Sequence, residues 1–193
     1  MWFAIEVSLS GYARTMEIWS LLENLPPVVD PPGCEASVLI PLYADSEGDV
    51  RVVLTKRPDD MATHPGDIVF PGGHREDGED PTATAKREAW EEIRLPPENI
   101  VSILGGLTPV TMQNREKPIV PIVARIERPK EFIPDAREVA LILEPTLVEL
   151  LDESSWVTRD WFGHDLWFRA FPEGVLWGAT AAMMRELLSY LRT

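Results

Sequence analysis

The segment from Asp80 to Pro97 constrains this chain most tightly. Asp80 suits a helix N-cap, Pro81 suits the first helical position, and Ala83 to Ile93 contain neither glycine nor proline before Pro96 and Pro97 stop the run. The helix this predicts carries Glu88, Glu91 and Glu92 at i, i+3 and i+4. At about 100° per residue, the three side chains fall within an arc of roughly 100°. Carboxylates gathered on one face repel each other, so the face is either bathed in solvent or built around cations. Carboxylate oxygens are the hard ligands that Mg²⁺ and Mn²⁺ favour.

Short extended runs surround that helix. Val38 to Leu42 and Val50 to Thr55 flank the turn-prone Asp45-Ser46-Glu47-Gly48-Asp49, which predicts a hairpin. Ile68-Val69-Phe70 predicts a third strand that runs into Pro71-Gly72-Gly73. Further strands are expected at Ile100 to Leu104, Ile119 to Ile126, Val139 to Leu143 and Leu166 to Ala170, with helices at Leu147 to Leu151 and Gly178 to Leu191. Strands with interspersed helices predict an α/β (α+β) layer structure. Residues 1 to 33 read as an appendage, in which Ile18, Trp19, Leu22 and Leu25 recur at helical spacing before Pro26, Pro27, Pro31 and Pro32 form a linker. Residues 34 to 193 then make one domain.

Charge and composition narrow the partners. The chain carries 18 Lys and Arg against 32 Asp and Glu, a net charge of −14 at pH 7. Such an acidic protein repels polyanions, so no nucleic acid is expected as a partner. The single cysteine, Cys34, excludes an internal disulfide framework and a multi-cysteine metal centre, and reads as a packed thiol in a reducing compartment. No apolar run approaches the ~20 residues that span a bilayer. Met1 to Glu6 lack the basic start of a secretory signal. A cytoplasmic protein with no membrane partner is expected.

Spacing around the acidic helix is more specific. Gly73 is followed after five residues by Glu79, and after seven more by Arg87-Glu88-Ala89-Trp90-Glu91-Glu92-Ile93-Arg94-Leu95. This resembles the Nudix box, G-x5-E-x7-R-E-U-x-E-E-x-G-U with U aliphatic, and departs from it only at Arg94, where the family has glycine. Upstream, Leu54-Thr55-Lys56-Arg57-Pro58 and Gly66-Asp67-Ile68-Val69-Phe70-Pro71-Gly72-Gly73 resemble the added signature of the coenzyme A pyrophosphatase branch. In that signature Pro58 stands where the branch has a small residue, and Ala62 where it has a second arginine.

The resemblance implies a Nudix fold, with a mixed central β-sheet sandwiched between helices. It implies metal-dependent hydrolysis of the diphosphate bond of coenzyme A and its derivatives, with Mg²⁺ or Mn²⁺ as cofactor and a small molecule as substrate. Glu88, Glu91 and Glu92 would be the catalytic metal ligands, with a backbone carbonyl near Gly73 beside them. Glu79 and Arg87 would support helix and loop as an ion pair. The general base stays open among Glu88, Asp135 and Glu138, of which Glu138 sits in the better matching segment. Arg57 leads the substrate-binding candidates, with Lys56, His64 and Gly72 beside it and Arg75 and Lys117 on neighbouring loops. His74 and His164 read as surface residues. Pro58 and Ala62 leave ADP-ribose or NADH as alternative substrates, and a Nudix-fold binding module without turnover is the alternative outside catalysis.

Three smaller expectations complete the reading. Trp90, two residues after Glu88, should point away from the carboxylate face, and the other tryptophans read as core or interface. Trp2, Phe3, Ile18 and Trp19 are apolar enough to pack on a second subunit, which leaves a homodimer open. Arg94 is expected to keep an ordinary φ, with Pro96 as the helix stop.

Overall fold

Ala36–Ala44 forms the central strand, and the alternation of its side chains sets the layers. Leu39 and Tyr43 enter one buried cluster with Ala85, Ala89 and Ile93, whereas Ile40 and Leu42 enter another with Ile18, Leu22, Met184 and Leu187. Successive side chains of a strand point to opposite faces, so a strand covered on both sides must be apolar in both registers. The computed structural model describes residues 11–111, 117–161 and 163–192. Trp2 and Phe3 lie outside the described residues, as do the side chains of Trp161 and His164.

In order, the elements are α1 (Gly11–Leu22), β1 (Ala36–Ala44), β2 (Val50–Val52), β3 (Leu54–Lys56), β4 (Ile68–Val69), β5 (Gly72–His74) and α2 (Pro81–Ile93). Then come β6 (Ile100–Gly106), β7 (Ile119–Ile126), β8 (Leu141–Leu143), α3 (Leu147–Leu151), β9 (Trp156–Trp161), β10 (His164–Phe171), β11 (Gly174–Trp177) and α4 (Gly178–Ser189). One sheet runs β2-β1-β7-β6, with β5 also on β1; the other runs β8-β3-β4-β11-β10-β9. β1 is parallel to β7 and antiparallel to β2 and β5, so the first sheet is mixed. It lies between α2 on one face and α1 and α4 on the other. The mixed α+β architecture is the one expected.

Two details differ from the expectations. The run Val50 to Thr55 does not stay in one hairpin, because the chain changes sheets at Val53, leaving β2 on β1 and β3 against β4 and β8. β5, β9 and β11 were not foreseen: Gly72-Gly73 reads as a turn, yet it pairs in register with Ser37 and Val38. The appendage helix does form. Its Ile18 and Trp19, read as apolar enough to pack on a second subunit, are buried in this chain's own core, and the Trp19 ring is covered by the Arg125 guanidinium at 4.7 Å. Among the described residues no helix is long and apolar enough to cross a membrane.

α2 shows how its ends are fixed. The Asp80 carboxylate accepts from the Ala83 N–H at 2.8 Å, the capping expected of it. At the other end the expectation fails: Arg94 adopts φ +52° and ψ +39°, in the left-handed region. The Arg94 N–H then donates to the Trp90 carbonyl at 3.0 Å and the Leu95 N–H to the Ala89 carbonyl at 3.3 Å, an αL closure after which Leu95 enters the core. Burying a leucine yields roughly 2 kcal/mol, enough to offset the ~1 kcal/mol cost of the strained residue. The Arg94 guanidinium packs over the half-exposed Trp90 ring at 5.3 Å, well away from the core.

Candidate active site

The two glycines of β5 are closely packed, Gly73 against the acidic face of α2 and Gly72 against β1. A Cβ on Gly73 would stand 2.5 Å from the Glu88 carboxyl carbon, and one on Gly72 would stand 2.6 Å from the Val38 Cα. The Gly72 N–H donates to Glu92 Oε2 at 3.2 Å, which ties the strand to the helix. Glu92 is buried, and removal from water pushes its carboxyl up to about 8, with Glu88 and Glu138 adding to the rise. Burial also raises Glu88 from the usual carboxylate range, against the lowering effect of Arg87.

Arg87 holds this wall together. Its Nε donates to Glu79 Oε1 at 2.8 Å, and its Nη atoms donate to Glu79 Oε2 at 3.1 Å, Glu88 at 2.9 Å, Glu91 at 3.1 Å and the His74 carbonyl at 2.7 Å. Glu79 accepts in addition from the Thr84 hydroxyl at 2.9 Å and the Glu76 N–H at 3.1 Å. Arg87 first, and those partners after it, hold the Glu79 carboxyl down at about 2. The arginine is correspondingly raised.

A cavity of about 510 Å³ opens against this face. Glu88, Glu91 and Glu92 line it together with Gly72, Gly73, Arg57, His64 and Glu138, so the structure brings these sequence candidates to one place. Other candidates lie elsewhere. Lys56 pairs with Asp59 at 3.0 Å, Asp135 is bound by Arg137 at 2.5 Å and lowered by it, Arg75 is held by Asp30 at 2.8 Å, and Lys117 pairs with Glu35. His74 is exposed, as expected of a surface residue, and it also lines the cavity and supplies the carbonyl that Arg87 grips.

Asp67, Thr63, Trp177 and Thr180 line the cavity and were missed as site residues. The Trp177 N–H donates to Asp67 Oδ1 at 2.9 Å, a contact between residues too far apart in sequence for any spacing to announce. Arg57 reaches the cavity from the end of β3, with its Nε buried and without a hydrogen-bond partner among the described residues. Buried donors are ordinarily satisfied, and of the buried side-chain atoms without a partner among the described residues this one alone belongs to the cavity lining. α4 also begins here, at Gly178 to Thr180, and its N-cap residue, Trp177, makes no side-chain capping bond among the described residues.

The lining is strongly anionic. Among the described lining residues, the acidic side chains of Asp67, Glu88, Glu91, Glu92 and Glu138 are met by one arginine, Arg57. Among the described residues no three His, Cys, Asp or Glu side chains already converge as a finished metal site would. In kind, the donors fit a hard divalent cation: they are all oxygens, two of them bear raised carboxyls that a cation would return to the ionised form, and Gly73 leaves open the space beside Glu88 that a Cβ would fill.

Comparison with known proteins agrees with this geometry. The NUDIX domain family model matches residues 35–165. The chain is 36% identical over 159 residues to a protein of Enterobacter sp. (strain 638) described as an uncharacterized Nudix hydrolase, NudL, covering 79% of this chain and 80% of that one. It is 36% identical over 161 residues to the chloroplastic Nudix hydrolase 22 of Arabidopsis thaliana, covering 78% of this chain and 53% of that one, so it spans about half the plant relative's length. Among solved structures, a C. elegans Ap4A hydrolase binary complex aligns with a TM-score of 0.54 at 17% identity, over 82% of this chain and 97% of that one, a likeness of fold. The β5 glycines, the Glu79–Arg87 pair and the three glutamates of α2 thus stand in a chain that belongs to the Nudix hydrolase family.

Proposed function

We propose that this protein hydrolyses the diphosphate bond of coenzyme A and its derivatives, releasing 3′,5′-ADP and a 4′-phosphopantetheine species. The observation that carries this reading is Arg57, unpartnered at its buried Nε and facing the same cavity as the α2 glutamates. It occupies the arginine position of the upstream segment that resembles the coenzyme A pyrophosphatase branch. Glu88, Glu91 and Glu92, with the Gly73 carbonyl, would hold Mg²⁺ or Mn²⁺. When bound, the cation neutralises phosphoryl charge and lowers the pKa of water. Without cations the five carboxylates of the lining would repel a diphosphate.

Hydrolysis adds water across P–O–P. The water oxygen bonds to one phosphorus, its proton passes to a carboxylate, and the bridging oxygen leaves with the other phosphoryl group and is protonated. Glu138 is the proposed acceptor of that proton: it lines the cavity and raises both Glu88 and Glu92 by its charge, whereas Asp135 is already spent on Arg137. Arg57 and the uncapped first turn of α4 would take substrate phosphate oxygens. His64 and Gly72 sit beside them. Lys56, paired with Asp59, would act only on a substrate that reaches past the rim. In this reading residues 34–193 are the hydrolase domain, residues 1–33 its appendage, and the cytoplasm its location.

Ala62 favours a second reading. If the arginine that the branch carries there contacts coenzyme A, its loss shifts preference toward ADP-ribose or NADH. Steady-state hydrolysis of coenzyme A, ADP-ribose, NADH and a diadenosine polyphosphate, with Mg²⁺ or Mn²⁺ and products identified by mass, decides between them. A kcat/KM for coenzyme A about tenfold or more above the others, or about 1.4 kcal/mol of discrimination, supports the first reading. Preference for ADP-ribose or NADH supports the second. Ligand binding with no turnover of any substrate would return the protein to the class of binding modules.

A further inference from the structure

Asp67 touches three parts of the cavity wall that faces α2. Its carbonyl accepts from the Arg57 N–H at 3.0 Å, its Oδ1 accepts from the Trp177 indole N–H at 2.9 Å, and its Oδ2 lies 3.2 Å from His64 Nδ1. Trp177 is backed by Phe168, with ring centroids 5.9 Å apart and planes within 3°. His64 itself is strained: its φ is +52°, which a Cβ disfavours, and the following Pro65 disfavours it further. Strain of this kind persists where surrounding contacts enforce it, and it concentrates at ligand contacts. A tie between strands would need only the Trp177 bond; it would not need a histidine held in a costly conformation at the rim.

The chemistry of the pair fixes the ring. An ionised carboxylate only accepts hydrogen bonds, so the imidazole proton on that side is on Nδ1 and Nε2 is left for the cavity. Among the described lining residues Arg57 is the single arginine or lysine, against five carboxylates, so an anionic substrate gains from any further donor. Resting on the hydrolase reading above, we infer that Asp67 is a positioning residue that sets His64 as a second phosphate contact, with Nδ1–H on Asp67 and the Nε2 proton donated to a phosphate oxygen of the substrate.

Asp67→Asn tests this with little change of shape. The amide keeps an acceptor for the Trp177 N–H but turns an N–H toward His64 Nδ1, which forces the Nε2–H tautomer and removes support for a second ring proton. Nitrogen-15 NMR of the histidine rings, with His64 assigned by His64→Gln, reads the tautomer without any need for turnover. The expected result is an Nδ1–H ring in the wild type that becomes protonated on both nitrogens when Mg²⁺ and inorganic pyrophosphate are added, and an Nε2–H ring in Asp67→Asn. On whichever diphosphate the wild type hydrolyses, Asp67→Asn should raise KM about fivefold or more with kcat within about twofold. His64→Gln should do the same, and the double variant should be no worse than His64→Gln alone.

A wild-type ring protonated on Nε2 alone, or additive effects in the double variant, overturns the inference and leaves the hydrolase reading intact. Expected ring states in a wild type that turns over none of the substrates overturn the hydrolase reading and keep His64 as an anion contact. Should Asp67→Asn not fold, an unchanged KM in His64→Gln overturns the inference by itself.

Discussion

The two walls of the cavity are built differently. The wall of α2 and β5 is local: Gly72, Gly73, Glu79, Arg87, Glu88, Glu91 and Glu92 all fall between residues 72 and 92, and one arginine binds most of its acids. The other wall is assembled from Arg57 at the end of β3, His64 and Asp67 on the following loop, and Trp177 at the end of β11, joined through Asp67, whose carbonyl accepts from Arg57 and whose carboxylate meets His64 and Trp177. A densely bonded, local wall suits chemistry, which needs fixed geometry. A wall drawn from distant segments can change its choice of substrate without moving the carboxylates.

If that division holds, the largest effect comes from the first wall. Glu92→Gln should lower kcat by about two orders of magnitude or more while the thermal midpoint stays level or rises, since a buried carboxyl is removed. A variant with near wild-type turnover would break the comparison at its base. On the second wall, Arg57→Ala should raise KM by about tenfold with a smaller change in kcat. Equal losses in kcat would show that the two walls share one task.

Acid tests the network itself. The Glu79 carboxyl is held at about 2 in the folded protein, against 4.5 for the free group. Folding therefore gains stability from Glu79 that is complete above about 4.5 and is lost as pH falls from there toward 2. Denaturant unfolding between pH 5 and pH 2.5 should show this decline, and Arg87→Met, less stable at pH 7 by about 2 kcal/mol, should show a shallower one. Parallel curves would mean that Arg87 is not what anchors Glu79. The smallest effect is expected at the helix end, where Arg94→Gly should stabilise the fold by about 1 kcal/mol, read as a rise in melting temperature, by relieving the left-handed residue.

The same local-versus-distant contrast explains what could be read from the sequence. α2, its Asp80 cap and its acid spacing are legible because i to i+4 geometry is set within one segment. β7 and α3 were expected at the residues where they occur, from periodicity alone. β5 was not, because two glycines carry no strand propensity and their pairing is decided by the register of β1. β11 meets β4 through a single pair, Leu176 with Ile68, a contact that no local pattern encodes. Trp177 has no role that the sequence shows, since only the folded chain brings it to Asp67. Arg94 was misjudged because the benefit of its strain is Leu95, whose burial depends on residues as far away as Val139.

The alternation of β1 has one more consequence. Leu39 and Tyr43 answer to the core beneath α2, and Ile40 and Leu42 to the core that holds Leu176, Met183 and Leu187. The strand therefore works as a partition. Substitutions that reshape the packing under β11 and α4, and with it the floor near Trp177, are insulated from the packing that aims the glutamates. A lineage carrying this partition can explore new substrates by drift on one side while purifying selection keeps the other side still.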